Sequence, residues 1–137
     1  MAASQSSSHS PSSAAQTHHI GAVAERTGLS LRTLRHYDEV GLVTPSGRSD
    51  GGFRLYTDAD IERILLVRRM KPLGFTLEEM GDLLSLASTL ESDPGADARA
   101  RLDDYLTSAR ERREALQSKL DMADEFIALL ESRREPI

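Results

Sequence analysis

The sequence predicts a mainly α-helical chain: a winged helix-turn-helix domain with a small β-hairpin wing, followed by one long helix that forms a coiled coil. Three observations predict it. Two short helical segments meet at Gly28–Leu29–Ser30, a glycine-containing turn of the length that joins a helix-turn-helix pair. Two Thr-x-x-Asp/Glu boxes, Thr57 with Asp60 and Thr76 with Glu79, open further helices. From residue 102 to residue 130, small and apolar residues recur at alternating spacings of four and three, the mark of a coiled-coil seam.

The composition agrees. The chain has 137 residues, 39% of them hydrophobic, with three Phe, three Tyr and no Trp. Sandwiches and barrels draw on more aromatic and β-branched residues. There is no cysteine, which removes disulfides, thiolate metal sites and cysteine redox sensing together. No apolar run approaches the roughly 20 residues that span a bilayer. Residues 1–17 are Ser-rich, have no Lys or Arg and no apolar core, and read as a disordered tail rather than a signal peptide, in a cytoplasmic protein.

Taken in order, Ile20, Val23 and Ala24 supply the inner face of a first helix that stops at Gly28. Ser30 caps a second, from Leu31 to about Val40, closed by Gly41. On it Leu31 and Leu34 are expected to face inward, while Arg32, Arg35, His36 and Glu39 follow the spacing of one exposed face. "LVTP" and "FRLY" read as two extended segments around the loop "SGRSDGG", with Arg48 in its tip and Arg54 on the return strand. The helix opened by Thr57 runs to about Lys71, before Pro72–Leu73–Gly74. The helix opened by Thr76 runs to about Ala87. A domain over residues 18–87 is then followed by a linker over 88–96 and a dimerisation helix over 97–134. Its seam is Leu102, Leu106, Ala109, Arg113, Leu116, Leu120, Ala123, Ile127 and Leu130. A lone helix of about 38 residues, about 57 Å long, cannot bury such a seam on a small domain and needs a partner, most simply a second copy.

The formal net charge of −5 conceals an asymmetry. Residues 18–75 carry nine Lys/Arg against seven Asp/Glu, whereas residues 76–137 carry eight against fifteen. Local charge is what meets a phosphate, so overall acidity is compatible with a basic helix that binds DNA. Arginine suits that task because its guanidinium can bond two acceptors on a guanine edge or clamp a phosphate. Arg32, Arg35 and His36 alone could be an ordinary solvated face, and hairpin arginines such as Arg48 and Arg54 are common. Their order along the chain, followed by a coiled coil, points to DNA. The consecutive run His36–Tyr37–Asp38–Glu39 holds acid–base side chains that a helix points apart, which argues against an enzyme.

Three stretches, "IGAVAERTGLSLRTLRHYDEVGLVTP", "RSDGGFRLYTDADIERI" and "LGFTLEEMGDLL", resemble the MerR family of bacterial transcription regulators over residues 19–87. His36 stands where that family carries an aromatic residue. The resemblance implies a homodimer bridged by an antiparallel coiled coil, with both recognition helices in major grooves of a palindromic promoter site and the DNA bent and underwound at a promoter served by RNA polymerase. It implies that Arg32 and Arg35 meet bases or nearby phosphates and that Tyr37, Arg48, Phe53 and Arg54 grip the backbone. Thr33, His36 and Tyr56 complete the candidate DNA-contact set. The departure lies in the sensor: with no cysteine, and with Glu135–Pro136–Ile137 alone after the long helix, the expectation is a short member with no appended effector domain, metal or cofactor. His18–His19 lacks a supporting cluster of ligands. The alternatives are a phage-type excision factor, which shares the winged fold, and a coiled-coil adaptor that keeps the fold without binding DNA.

Overall fold

A computed structural model describes residues 16–92 and 95–134. Most of the expected Ser-rich tail, part of the expected linker and the last three residues lie outside them. The chain divides into two compact units between Arg69 and Met70.

The first unit begins with strand β1 (Thr17–His19), followed by α1 (Ile20–Thr27) and α2 (Leu31–Glu39). Gly28 closes α1 with φ +75°, a left-handed conformation that an L side chain resists, and its N–H donates to the Ala24 carbonyl at 2.9 Å. Ser30 opens α2: its hydroxyl accepts from the Thr33 N–H at 3.0 Å. The hairpin follows as β2 (Gly47–Arg48) and β3 (Arg54–Thr57), and α3 (Asp58–Met70) comes next. All three strands form one antiparallel sheet in the order β1-β3-β2. Val23, Leu34, Tyr37, Leu42, Val43, Tyr56, Ile61, Ile64 and Val67 are buried.

Three local expectations change here. "LVTP" is not the first wing strand; Gly47–Arg48 is. The N–H groups of Leu42 and Val43 are already given to the Tyr37 carbonyl, and Pro45 has none to offer, so the segment ends a helix instead of starting a sheet. Arg48 consequently lies on a strand opposite Arg54, not in the loop tip. Leu31, expected to face inward, is 38% exposed, because steps of three drift around a 3.6-residue helix and Leu34 with Tyr37 take the inner face.

The capping box at α3 is formed as expected. The Asp60 N–H donates to Thr57 Oγ1 at 3.1 Å, and Asp60 Oδ2 accepts from the Thr57 N–H at 3.0 Å. The buried Asp60 carboxylate also accepts from the Ser46 N–H at 3.0 Å and faces Arg63 at 3.5 Å, so its charge is compensated.

The second unit contains a 3-10 turn (Lys71–Leu73), α4 (Leu77–Ser92) and α5 (Ala96–Arg134). The Thr76–Glu79 box is present, with bonds of 2.8 and 3.1 Å. α4 continues to Ser92, past the expected end at Ala87; the Ser92 hydroxyl lies 3.3 Å from both the Ser88 and the Thr89 carbonyl and donates back into its own helix. α5 is one uninterrupted helix of 39 residues.

Candidate nucleic-acid interface

α2 separates its two faces sharply. Leu34 and Tyr37 are buried, while Arg32, Arg35, His36 and Glu39 are exposed. Neither Arg32 nor Arg35 has an ion pair or hydrogen bond among the described residues, so their donors are available to an incoming acceptor. Thr33 is different: half-buried, it holds the Ser30 cap with its N–H and accepts the Ser30 hydroxyl at 3.0 Å. Its side chain serves the start of the helix.

The wing is tied to α2 through Asp38. Arg54 Nε donates to Asp38 Oδ2 at 2.8 Å, and a terminal guanidinium nitrogen of Arg48 donates to the same oxygen at 3.3 Å. Arg48 and Arg54 are cross-strand partners, and like charges so placed repel; a carboxylate between them removes that cost. The Asp38 hydrogen bond, aided by its charge, also pushes the Arg54 guanidinium further above its usual range. Exposure is graded: Asp38 13%, Arg54 24% and Arg48 50%. At the turn, the Phe53 N–H donates to Ser49 Oγ at 3.2 Å, and the Phe53 ring stands 67% exposed.

One expected backbone contact, Tyr37, and one further candidate DNA contact, Tyr56, lie in the core. Tyr37 and Tyr56 are 2% and 0% exposed, with both hydroxyl oxygens beneath the surface. Burial pushes both phenols above the ordinary tyrosine pKa. In the chain without DNA they are core residues of the helix-turn-helix and the wing. Sequence reading missed two features. One is Asp38; the available signal was a carboxylate among arginines that need a counter-charge. The other is β1, where His18 Nε2 lies 2.8 Å from Asp58 Oδ1 and Arg26 lies 3.5 Å from the same oxygen. His18 foremost, then Arg26, hold the Asp58 carboxyl below its usual pKa. No group of three His, Cys, Asp or Glu among the described residues is arranged to hold a metal ion. No described helix is long and apolar enough to cross a membrane.

α5 has two parts. Its N-terminal part packs on α4 and the 3-10 turn: Ala98 is buried, and Leu102, Tyr105, Ser108, Ala109 and Arg112 are half-buried. Arg112 anchors this part. Its guanidinium lies 4.2 Å from the Phe75 ring centroid, donates to the Leu73 carbonyl at 3.3 Å and faces Glu79 at 3.5 Å. Beside it Asp82 accepts from the Tyr105 hydroxyl at 2.6 Å and from Arg101. Those two donors hold the Asp82 carboxyl low, and the Tyr105 phenol is pushed up to about 12, chiefly by its bond to Asp82. From Arg113 to Arg134 every residue is exposed, including Leu116, Leu120, Ile127 and Leu130. Of the expected seam, Leu102 and Ala109 are therefore half-covered within one chain, while Leu106, Arg113, Leu116, Leu120, Ala123, Ile127 and Leu130 are exposed.

The family pattern described as MerR HTH family regulatory protein matches residues 19–86, and the one described as MerR, DNA binding, matches residues 61–125. Over 116 residues the chain is 38% identical to the HTH-type transcriptional regulator CueR of Salmonella typhimurium, covering 82% of this chain and 79% of CueR. The chain belongs to the MerR family. It is 37% identical over 116 residues to the HTH-type transcriptional activator TipA of Streptomyces coelicolor; that match covers 85% of this chain and 40% of TipA. Among solved structures, HiNmlR, a MerR family regulator lacking the sensor domain and bound to promoter DNA, superposes with a TM-score of 0.66 at 28% identity. The superposition covers 87% of this chain and 94% of HiNmlR. The two MerR matches overlap within α3 and α4 and together extend from His19 to Glu125.

Proposed function

We propose that this MerR family member is a sequence-specific DNA-binding transcription regulator. It binds a palindromic promoter site as a homodimer, with α2 in the major groove and the wing along the backbone. The observation that carries this reading is the exposed, unpaired Arg32/Arg35 face on a helix whose other face is buried. Arg35, in the middle of that face, reads a base edge. Arg32 and His36 contact bases or flanking phosphates, and Arg48, Phe53 and Arg54 meet the sugar–phosphate backbone. The likeness to promoter-bound HiNmlR supports the same orientation.

The homodimer reading rests on the exposed seam of α5, which pairs with its copy in antiparallel register. Two recognition helices held apart by a stiff helix pair make the DNA adjust to the protein. Bending a site of this kind costs on the order of 1–6 kcal/mol, which contacts on two half-sites offset. RNA polymerase is the partner at such a promoter, and the distortion realigns its elements.

A mobility shift over a salt titration tests the reading. A duplex selected from a random library by the full chain should bind more tightly than a scrambled duplex, with log K falling linearly against log salt. Absence of binding to either duplex would leave a coiled-coil adaptor as the better description.

A further inference from the structure

The arginines of the two DNA-facing elements are treated differently. On α2, Arg32 and Arg35 are left without partners among the described residues. On the wing, Arg48 and Arg54 share one carboxylate, and that carboxylate belongs to α2. Wing arginines that meet the sugar–phosphate backbone do so regardless of sequence, whereas a recognition-helix arginine can read a base. The protein thus cancels charge where contact is blind to sequence and keeps it where sequence is read.

We propose that Asp38 is a specificity-determining positioning residue: it holds Arg48 and Arg54 together and reduces the charge they offer to a DNA backbone from two to one. This rests on the DNA-binding reading above and deepens it. The two bonds are unequal. Arg54 is mostly covered and held at 2.8 Å through Nε, so it keeps its bond to Asp38, fixes the wing against α2 and meets the backbone from that position. Arg48 is half-exposed and held at 3.3 Å, with only a 3.5 Å contact to the Gly52 carbonyl besides. Arg48 is therefore the one that leaves Asp38 for a phosphate when DNA arrives, with Asp38 remaining close enough to oppose part of its charge. The consequence is weaker sequence-independent binding, and so a larger ratio of specific to non-specific affinity.

The test uses the full chain, the selected duplex and its scrambled counterpart, each titrated with NaCl. Asp38→Asn keeps the side-chain shape and removes the charge. It should steepen the slope of log K against log salt by about 0.9 per protomer. It should also tighten binding to the scrambled duplex several-fold at low salt and lower the selected-to-scrambled ratio. Asp38→Glu should keep the wild-type slope. Asp38→Asn combined with Arg48→Ala carries the same charge as the wild type and should return to its slope, which a loss of structure would not produce. An unchanged slope for Asp38→Asn, or equally weakened binding to both duplexes in all three variants, would overturn the proposal and make Asp38 a structural clamp alone. A wild-type chain that bound neither duplex would overturn the DNA-binding reading and this proposal with it.

Discussion

α2 and the C-terminal part of α5 are both helices with an exposed face, and the two faces have opposite chemistry. On α2 the exposed face is Arg32, Arg35, His36 and Glu39, over an inner face already filled by Leu34 and Tyr37. Beyond Arg113 the exposed face of α5 includes Leu116, Leu120, Ile127 and Leu130, with no inner face filled by the described residues. A finished helix that keeps free cations is complementary to an anionic polymer. An unfinished helix that keeps free leucines is complementary to another apolar helix face. The N-terminal part of the same α5, covered by α4 and fastened by Arg112, shows how that helix looks once its partner is present.

The largest effect should come from charging the apolar face. In the proposed homodimer, Leu120→Glu with Ile127→Glu would remove burial worth about 1.5–3 kcal/mol per side chain, and twofold symmetry would double the loss. Sedimentation should show a monomer at micromolar concentration, with operator affinity reduced by orders of magnitude. A stable dimer would break the contrast between the two faces.

Arg35→Ala acts on the other face. It should lower affinity for the selected duplex by roughly ten- to a hundredfold, the equivalent of about 1–3 kcal/mol, while the scrambled duplex changes far less and the dimer stays intact. An unchanged selected-to-scrambled ratio in a mobility shift would remove Arg35 from base reading.

Arg112→Ala sharpens the comparison within α5. Losing the Phe75 stack, the Leu73 carbonyl bond and the Glu79 pair should cost about 1–2 kcal/mol of stability by urea unfolding, with the oligomeric state unchanged. A smaller effect, near 1 kcal/mol, is expected for Tyr105→Phe. Tyr105 also carries a pH signature. Its pKa is about 12 in the folded chain against about 10 unfolded. Because the folded value is the higher one, its contribution is fully present below pH about 10 and is lost as pH rises from about 10 toward 12. Chemical unfolding across that window should show an alkaline limb that Tyr105→Phe reduces.

The smallest effect is expected at Arg113, a proposed seam position from which every described residue onward is exposed. A charge there costs stability and fixes register, so Arg113→Leu should raise the melting temperature by a few degrees and admit other oligomers. An unchanged melt with a clean dimer would mean that the side chain reaches solvent along its stem.

What could be read from the residues followed how local each interaction is. Ser30, Thr57 with Asp60, and Thr76 with Glu79 cap helices through bonds spanning three positions, and all three were legible as short patterns. The sheet was less so. β1 and β2 are three and two residues long, too short for a period, and each depends on a partner distant or irregular in sequence. The burial of Tyr37 and Tyr56 was hidden because a phenol suits both a core and a phosphate contact. Asp38 was hidden because its role needs Arg48 and Arg54 brought back across a hairpin. The extension of α4 to Ser92 ran through Ser and Thr, which read as linker, although the Ser92 hydroxyl bonds back into its own helix.

The most direct measurement is copper-phenanthroline footprinting of the full chain on its selected duplex. The proposed homodimer predicts two protected half-sites separated by a hyperreactive, uncontacted centre, where the DNA is deformed. A single protected half-site, or smooth protection across the centre, would contradict a dimer that grips two grooves and distorts the DNA between them.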